Sequence, residues 1–90
     1  MILPDSERDS LILIVDDNVP SIEILSTLLK DTGDIIVATS GADAIRLAEE
    51  YQPDVILLDQ EMPGMDGYET CRALKANDET RHCAIFFFFF

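Results

Sequence analysis

The chain has 90 residues, enough for one domain with a thin core that buries roughly 60–65% of the surface exposed when unfolded. Hydrophobic residues make up 48% and charged residues 27%, a balance that excludes a wholly disordered chain. Eighteen acidic against six basic side chains give a net charge of −12, which repels phosphate backbones and anionic lipid heads; direct nucleic-acid and membrane contacts are not expected, and cations or basic surfaces are the expected partners.

Residues 1–10 read as a polar lead. The continuous apolar run Leu11-Ile12-Leu13-Ile14-Val15 follows, rich in β-branched residues as in a strand buried on both faces, and it ends abruptly at Asp16-Asp17-Asn18. Asn18 can cap a helix whose first turn takes Pro20. Ile22, Leu25, Leu28 and Leu29 recur at helical spacing until Gly33. A short strand, Ile35 to Ala38, leads to a helix opened by Ser40 with Asp43 three residues on, as in a capping box, with Ala44, Leu47, Ala48 and Tyr51 as its apolar stripe. Gln52-Pro53 ends that helix. Val55-Ile56-Leu57-Leu58 is a third buried run, and it too ends in an acid, Asp59. The loop Glu61-Met62-Pro63-Gly64-Met65 forms a turn, and Asp66 with Glu69 has the spacing to cap a helix to about Ala76, with Tyr68, Cys71 and Leu74 inward. A polar connection, with Lys75 on the solvated helix surface before it, precedes a fourth strand beginning Cys83-Ala84-Ile85-Phe86.

Strands alternating with helices predict right-handed crossovers and a parallel α/β sheet, in which ligands bind beyond the carboxyl ends of the strands. Asp16, Asp17 and Asp59 all fall at that edge. An aspartate after a strand is commonly a turn former or helix cap, but three at one edge call for more. Carboxylates about 4 Å apart repel by roughly 4 kcal/mol per pair at an effective dielectric near 20, a penalty that a bound cation removes. Hard oxygen ligands suit Mg²⁺, or alternatively Mn²⁺, and such an ion leaves one carboxylate free to attack a phosphoryl group. An EF-hand is excluded because, counting from Asp59, Pro63 and Thr70 occupy its fifth and twelfth positions.

Leu13-Ile14-Val15-Asp16-Asp17-Asn18 and then Leu57-Leu58-Asp59-Gln60-Glu61-Met62-Pro63-Gly64-Met65-Asp66-Gly67 together resemble the receiver domain of bacterial two-component response regulators, over residues 11–85. The resemblance implies a flavodoxin-like, doubly wound parallel sheet, here incomplete, with about four strands and three helices in the order 2-1-3-4. It implies that Asp59 is the phosphoacceptor, charged from a sensor histidine kinase or a histidine phosphotransfer protein. Asp17 would bind Mg²⁺ directly, Asp16 directly or through water, and Glu61 would lend its backbone carbonyl. Pro63 and Gly67 would shape the loop. Such a module is a cytoplasmic signalling domain and not an enzyme.

Members of that family carry a small hydroxyl residue at the end of the fourth strand and a lysine at the end of a fifth; neither occurs up to Phe90. The expectation is a receiver truncated within its fourth strand, with residues 86–90 an anomalous polyphenylalanine tail and an uncovered sheet edge open to dimerisation. A degenerate interaction module that is never phosphorylated is the alternative reading. Cys71 and Cys83 show no C-x-x-C spacing, and no secretory signal precedes them, so a reducing cytosol is expected.

Overall fold

The computed structural model describes residues 10–88. The strands are β1 (Ser10–Val15), β2 (Gly33–Ala38), β3 (Val55–Asp59) and β4 (Ala84–Phe88), and the helices α1 (Val19–Leu29), α2 (Gly41–Tyr51) and α3 (Gly67–Ala76) fall between them. The four strands form one parallel sheet, as the alternation of strands and helices predicts, in the order β2-β1-β3-β4 that the family resemblance implies. Residues 1–9 of the polar lead and residues 89–90 of the phenylalanine run lie outside the described residues.

Alternation along β1 divides the core. Leu13 and Val15 face a cluster with Ala44, Ala48, Ile56, Leu58 and Leu74, against α2 and α3. Ile12 and Ile14 face a smaller cluster with Ile22, Leu25 and Leu29 of α1. A strand covered on both faces can afford no polar residue, which is why β1 is continuously apolar from Leu11 to Val15 and β3 from Val55 to Leu58.

All three helices start as the caps predict. The side chains of Asn18, Ser40 and Asp66 accept hydrogen bonds from the backbone N–H of Ser21, Asp43 and Glu69 at 3.2, 3.1 and 2.9 Å. The helix α2 ends with Gln52 in the left-handed region (φ 52°), its N–H donating to the Ala48 carbonyl, and Pro53 prevents continuation.

Some expectations are corrected. Gly33 does not stop α1, which ends at Leu29; it opens β2, where a Cβ would collide with the Ser10 carbonyl of β1. Leu28 points outward at 71% exposure, and Tyr51 and Tyr68 are each half exposed, so these three leave the stripes assigned to them. Phe86 to Phe88 continue β4 as paired strand, in register with Leu57, Leu58 and Asp59, so pairing extends past the boundary expected at Ile85. Lys75 is not merely solvated: its Nζ donates to the carbonyls of Arg81 (3.0 Å) and Cys83 (2.7 Å), tying the α3–β4 connection to the helix. Beneath it, the buried Thr80 hydroxyl donates to the Leu74 carbonyl at 2.7 Å.

Candidate functional site

β1 and β3 are direct neighbours with Val15 opposite Leu58, so the residues that follow each of them emerge side by side at the carboxyl edge of the sheet. Asp16, Asp17 and Asp59 therefore converge, each offering a carboxylate oxygen within 4.8 Å of the others. Asp16 is buried at 3% exposure, Asp59 is half-buried, and Asp17 is exposed. Among the described residues this is the one group of three or more acids, histidines or cysteines able to hold an ion.

Short backbone bonds aim two of the carboxylates. The N–H of Asn18 donates to Asp16 Oδ1 at 2.9 Å, and the N–H of Glu61 donates to Asp59 Oδ1 at 3.2 Å. Each is an aspartate bonding the backbone two residues on, so the ordinary turn-forming habit of aspartate presents these carboxylates to a common centre. Asp16 is further fixed by its own N–H, which donates to the Ala38 carbonyl of β2 at 3.1 Å.

Burial pushes the Asp16 carboxyl above the usual carboxylate range. The Asn18 N–H opposes that rise, while hydrogen bonding and charge from Asp59 add to it. An anionic Asp16 beside two more carboxylates is thus a strained charge arrangement that a cation relieves. The donor set, three oxygens of graded burial with solvent access on the Asp17 side, suits a hard divalent ion that keeps several waters.

Glu61 is exposed in the loop after β3, and Pro63 is exposed in the same loop. Gly67 is buried at the start of α3, where its N–H donates to the Gln60 carbonyl at 3.1 Å. A Cβ there would collide with the Asp59 carbonyl oxygen, so only glycine lets α3 start this close to the acceptor strand. Gly64 takes a positive φ of 77°, the left-handed conformation that favours glycine in this turn. Beside the acids, Gln60, Glu61, Met62, Pro63, Asp66 and Tyr68 line an open depression.

Two positioning groups are not assigned by motif reading. Asn18 serves the Asp16 carboxylate with its backbone besides capping α1, and the D-D-N spacing carries that signal. Gly41 is the other, since a Cβ there would strike Thr70 Oγ1 and Met65 Sδ where α2 meets the acceptor loop and α3. No helix among the described residues is long and apolar enough to cross a membrane.

The sequence pattern of the response regulator receiver domain matches residues 12–88. The response regulator PleD of Caulobacter vibrioides is 40% identical over 75 residues, which span 82% of this chain and 16% of that protein. The N-terminal domain of a response regulator receiver protein from Methanoculleus marisnigri superposes with a TM-score of 0.83 at 32% identity, covering 87% of this chain and 64% of that one. The receiver domain of a Pseudomonas aeruginosa sensor histidine kinase, with a magnesium ion coordinated in its active-site cleft, superposes at 0.81 with 29% identity, covering 87% of this chain and 65% of that one. This chain therefore spans less than two thirds of each of these relatives.

Proposed function

This chain belongs to the response regulator receiver domain family of two-component systems, and from that premise we propose that Asp59 accepts a phosphoryl group from a phosphohistidine, with Asp16 and Asp17 holding Mg²⁺ beside it. The observation that carries the reading is the convergence of three carboxylates within 4.8 Å at the carboxyl edge of the sheet. The alternative of a degenerate module gains no support from a site whose three acids are all present, two of them held by backbone hydrogen bonds.

In the transfer, an Asp59 carboxylate oxygen bonds to phosphorus as the bond from phosphorus to the donor imidazole nitrogen breaks. The electron pair leaves with the imidazole, and the product is an acyl phosphate. The Glu61 N–H holds Asp59 Oδ1 at 3.2 Å, which would leave the other oxygen for the incoming group. Asp16, oriented by Asn18, and Asp17 supply the remaining negative charge. A bound Mg²⁺ offsets that charge and that of the phosphoryl oxygens. The Glu61 carbonyl would add a further ligand, and the Glu61 side chain, exposed in the loop after β3, would be free to meet water approaching the phosphate and so to tune its lifetime. Pro63 and Gly67 hold the loop shape on which this depends.

The protein is then a signalling domain that stores one phosphoryl group, with a sensor histidine kinase or histidine phosphotransfer protein as its donor. Intact mass after incubation with Mg²⁺ and a small acyl phosphate or phosphoramidate tests the reading. Wild type should gain one phosphoryl group and Asp59→Asn none. A wild-type chain that shows dispersed amide resonances yet gains nothing would overturn it.

A further inference from the structure

We propose that Asn18 is a positioning residue for the cation: its side chain, by capping α1, holds the backbone N–H that sets the Asp16 carboxylate, so the cap governs Mg²⁺ affinity and bound Mg²⁺ in turn firms the first turn of α1. The inference rests on the reading of the acid cluster as a Mg²⁺ site.

Asn18 is engaged on several sides at once. Its N–H donates to Asp16 Oδ1 at 2.9 Å, its side-chain Oδ1 accepts from the Ser21 N–H at 3.2 Å, and its carbonyl accepts from the Ile22 N–H at 3.2 Å. Ile22 is buried with Ile12 and Ile14 of β1, so the first turn of α1 is pinned to the strand that runs into Asp16. The extended backbone of Asn18 (φ −103°, ψ 107°) is that of a helix cap, and without the side-chain bond to Ser21 nothing local holds the residue in it. Asn18 is itself exposed, so its side chain can be changed without opening the core.

The other two helices show why this N–H is available to Asp16. At α2 and α3 the third helical residue is an acid, Asp43 and Glu69, the place from which a capping box serves the N–H of the cap residue. The third residue of α1 is Ser21, and the first turn of α1 holds no acid. Asp16 stands in for it from outside the helix, and is thereby fixed beside Asp17 and Asp59. The cap also has no substitute. A cap side chain ordinarily accepts from the second or third helical N–H, and the second residue here is Pro20, which has none, so only Ser21 can serve.

Such coupling is reciprocal. A cap that holds Asp16 in place spares Mg²⁺ the cost of ordering it, and Mg²⁺ that holds Asp16 favours the capped geometry by the same factor. Loss of a contact that orients a metal ligand typically costs roughly 10–100-fold in affinity, and a backbone donor that is loosened but not removed belongs at the low end of that range.

Mg²⁺ titration of the whole 90-residue chain, followed by amide resonances, tests this. Asn18→Ala should weaken Mg²⁺ binding by about tenfold, and in the metal-free protein the amide proton of position 18 should move upfield and exchange faster. Asn18→Ser restores a cap oxygen and should return both to near wild type. Thr80→Val, which removes a hydrogen bond in the α3–β4 connection, should lower stability and leave Mg²⁺ affinity unchanged. On wild type, with no variant to fold, Mg²⁺ should slow exchange of the Ser21 and Ile22 amides. An Asn18→Ala protein that loses stability but keeps both its Mg²⁺ affinity and its position-18 resonance would overturn the proposal. So would weakened binding that Asn18→Ser does not restore, or Ser21 and Ile22 exchange indifferent to bound Mg²⁺. A wild type with no Mg²⁺-dependent shift would overturn the reading of the acid cluster and the metal half of the proposal with it; the metal-free position-18 resonance of Asn18→Ala, displaced or unchanged, then decides by itself whether the cap holds Asp16.

Discussion

Replacing Gly67 by alanine places a methyl group against the Asp59 carbonyl oxygen and 2.8 Å from Gln60 Cα. Both obstacles are backbone, so no side chain can swing aside and either α3 or the end of β3 must move. Overpacking of this kind costs typically 1–3 kcal/mol, and the gain in helix propensity returns at most about 1 kcal/mol, for a net loss of roughly 1–2 kcal/mol. In a domain of this size that lowers Tm by roughly 4–16 °C, measurable by circular dichroism. Because the displaced atoms belong to Asp59 and Gln60, the carboxylate moves with them, and the Mg²⁺ affinity read from amide shifts should fall in parallel. Gly64→Ala is the control. Its Cβ would meet nothing within 4 Å, so its cost is the left-handed strain alone, roughly 1–2 kcal/mol, with no change in Mg²⁺ affinity. A Gly67→Ala protein that melts within about 2 °C of wild type and binds Mg²⁺ equally would refute the steric reasoning.

Further perturbations act on separate features. The folded chain holds the Asp16 proton more tightly than the unfolded chain does, so without metal its stability should fall as pH rises through the window above the ordinary value of 3.8; Mg²⁺ should flatten that slope in thermal melts taken across pH. Asp16→Asn removes the buried charge and keeps the Asn18 contact, so the metal-free protein should gain about 1 kcal/mol near neutral pH after allowance for solvent screening, while Mg²⁺ no longer stabilises it. Lys75→Met leaves the Arg81 and Cys83 carbonyls without their donor and should cost about 1–2 kcal/mol in urea denaturation. Thr80→Val strips the buried hydroxyl from the Leu74 carbonyl and should cost a similar amount, about 1–2 kcal/mol by the same assay.

What the sequence reveals here is mostly local. Ser40 with Asp43, and Asp66 with Glu69, signal helix starts because a cap is settled within four residues, and all three predicted caps form. The convergence of Asp16 and Asp59 is legible because two apolar runs end in acids and parallel strands deliver their ends to one edge. The outward turn of Leu28 is not legible, since α1 is apolar nearly all round and helical spacing alone does not say which side meets the sheet. Lys75 escapes for another reason: whether a long side chain finds a carbonyl depends on the path of the loop from Asn77 to Cys83, which no spacing encodes. The phenylalanines of β4 read as an anomaly of composition, yet any apolar, β-prone run in register with β3 satisfies its ladder.

Phosphoryl incorporation followed residue by residue tests the central claim most directly. The folded chain would be treated with a small phosphodonor in Mg²⁺ or in EDTA, then with borohydride, which reduces an aspartyl phosphate to homoserine, and mapped by peptide mass. The expected result is homoserine at position 59 alone, formed in Mg²⁺ and lost in EDTA. Homoserine at Asp16 or Asp17, incorporation indifferent to the metal, or none on a chain with dispersed amide resonances would contradict it.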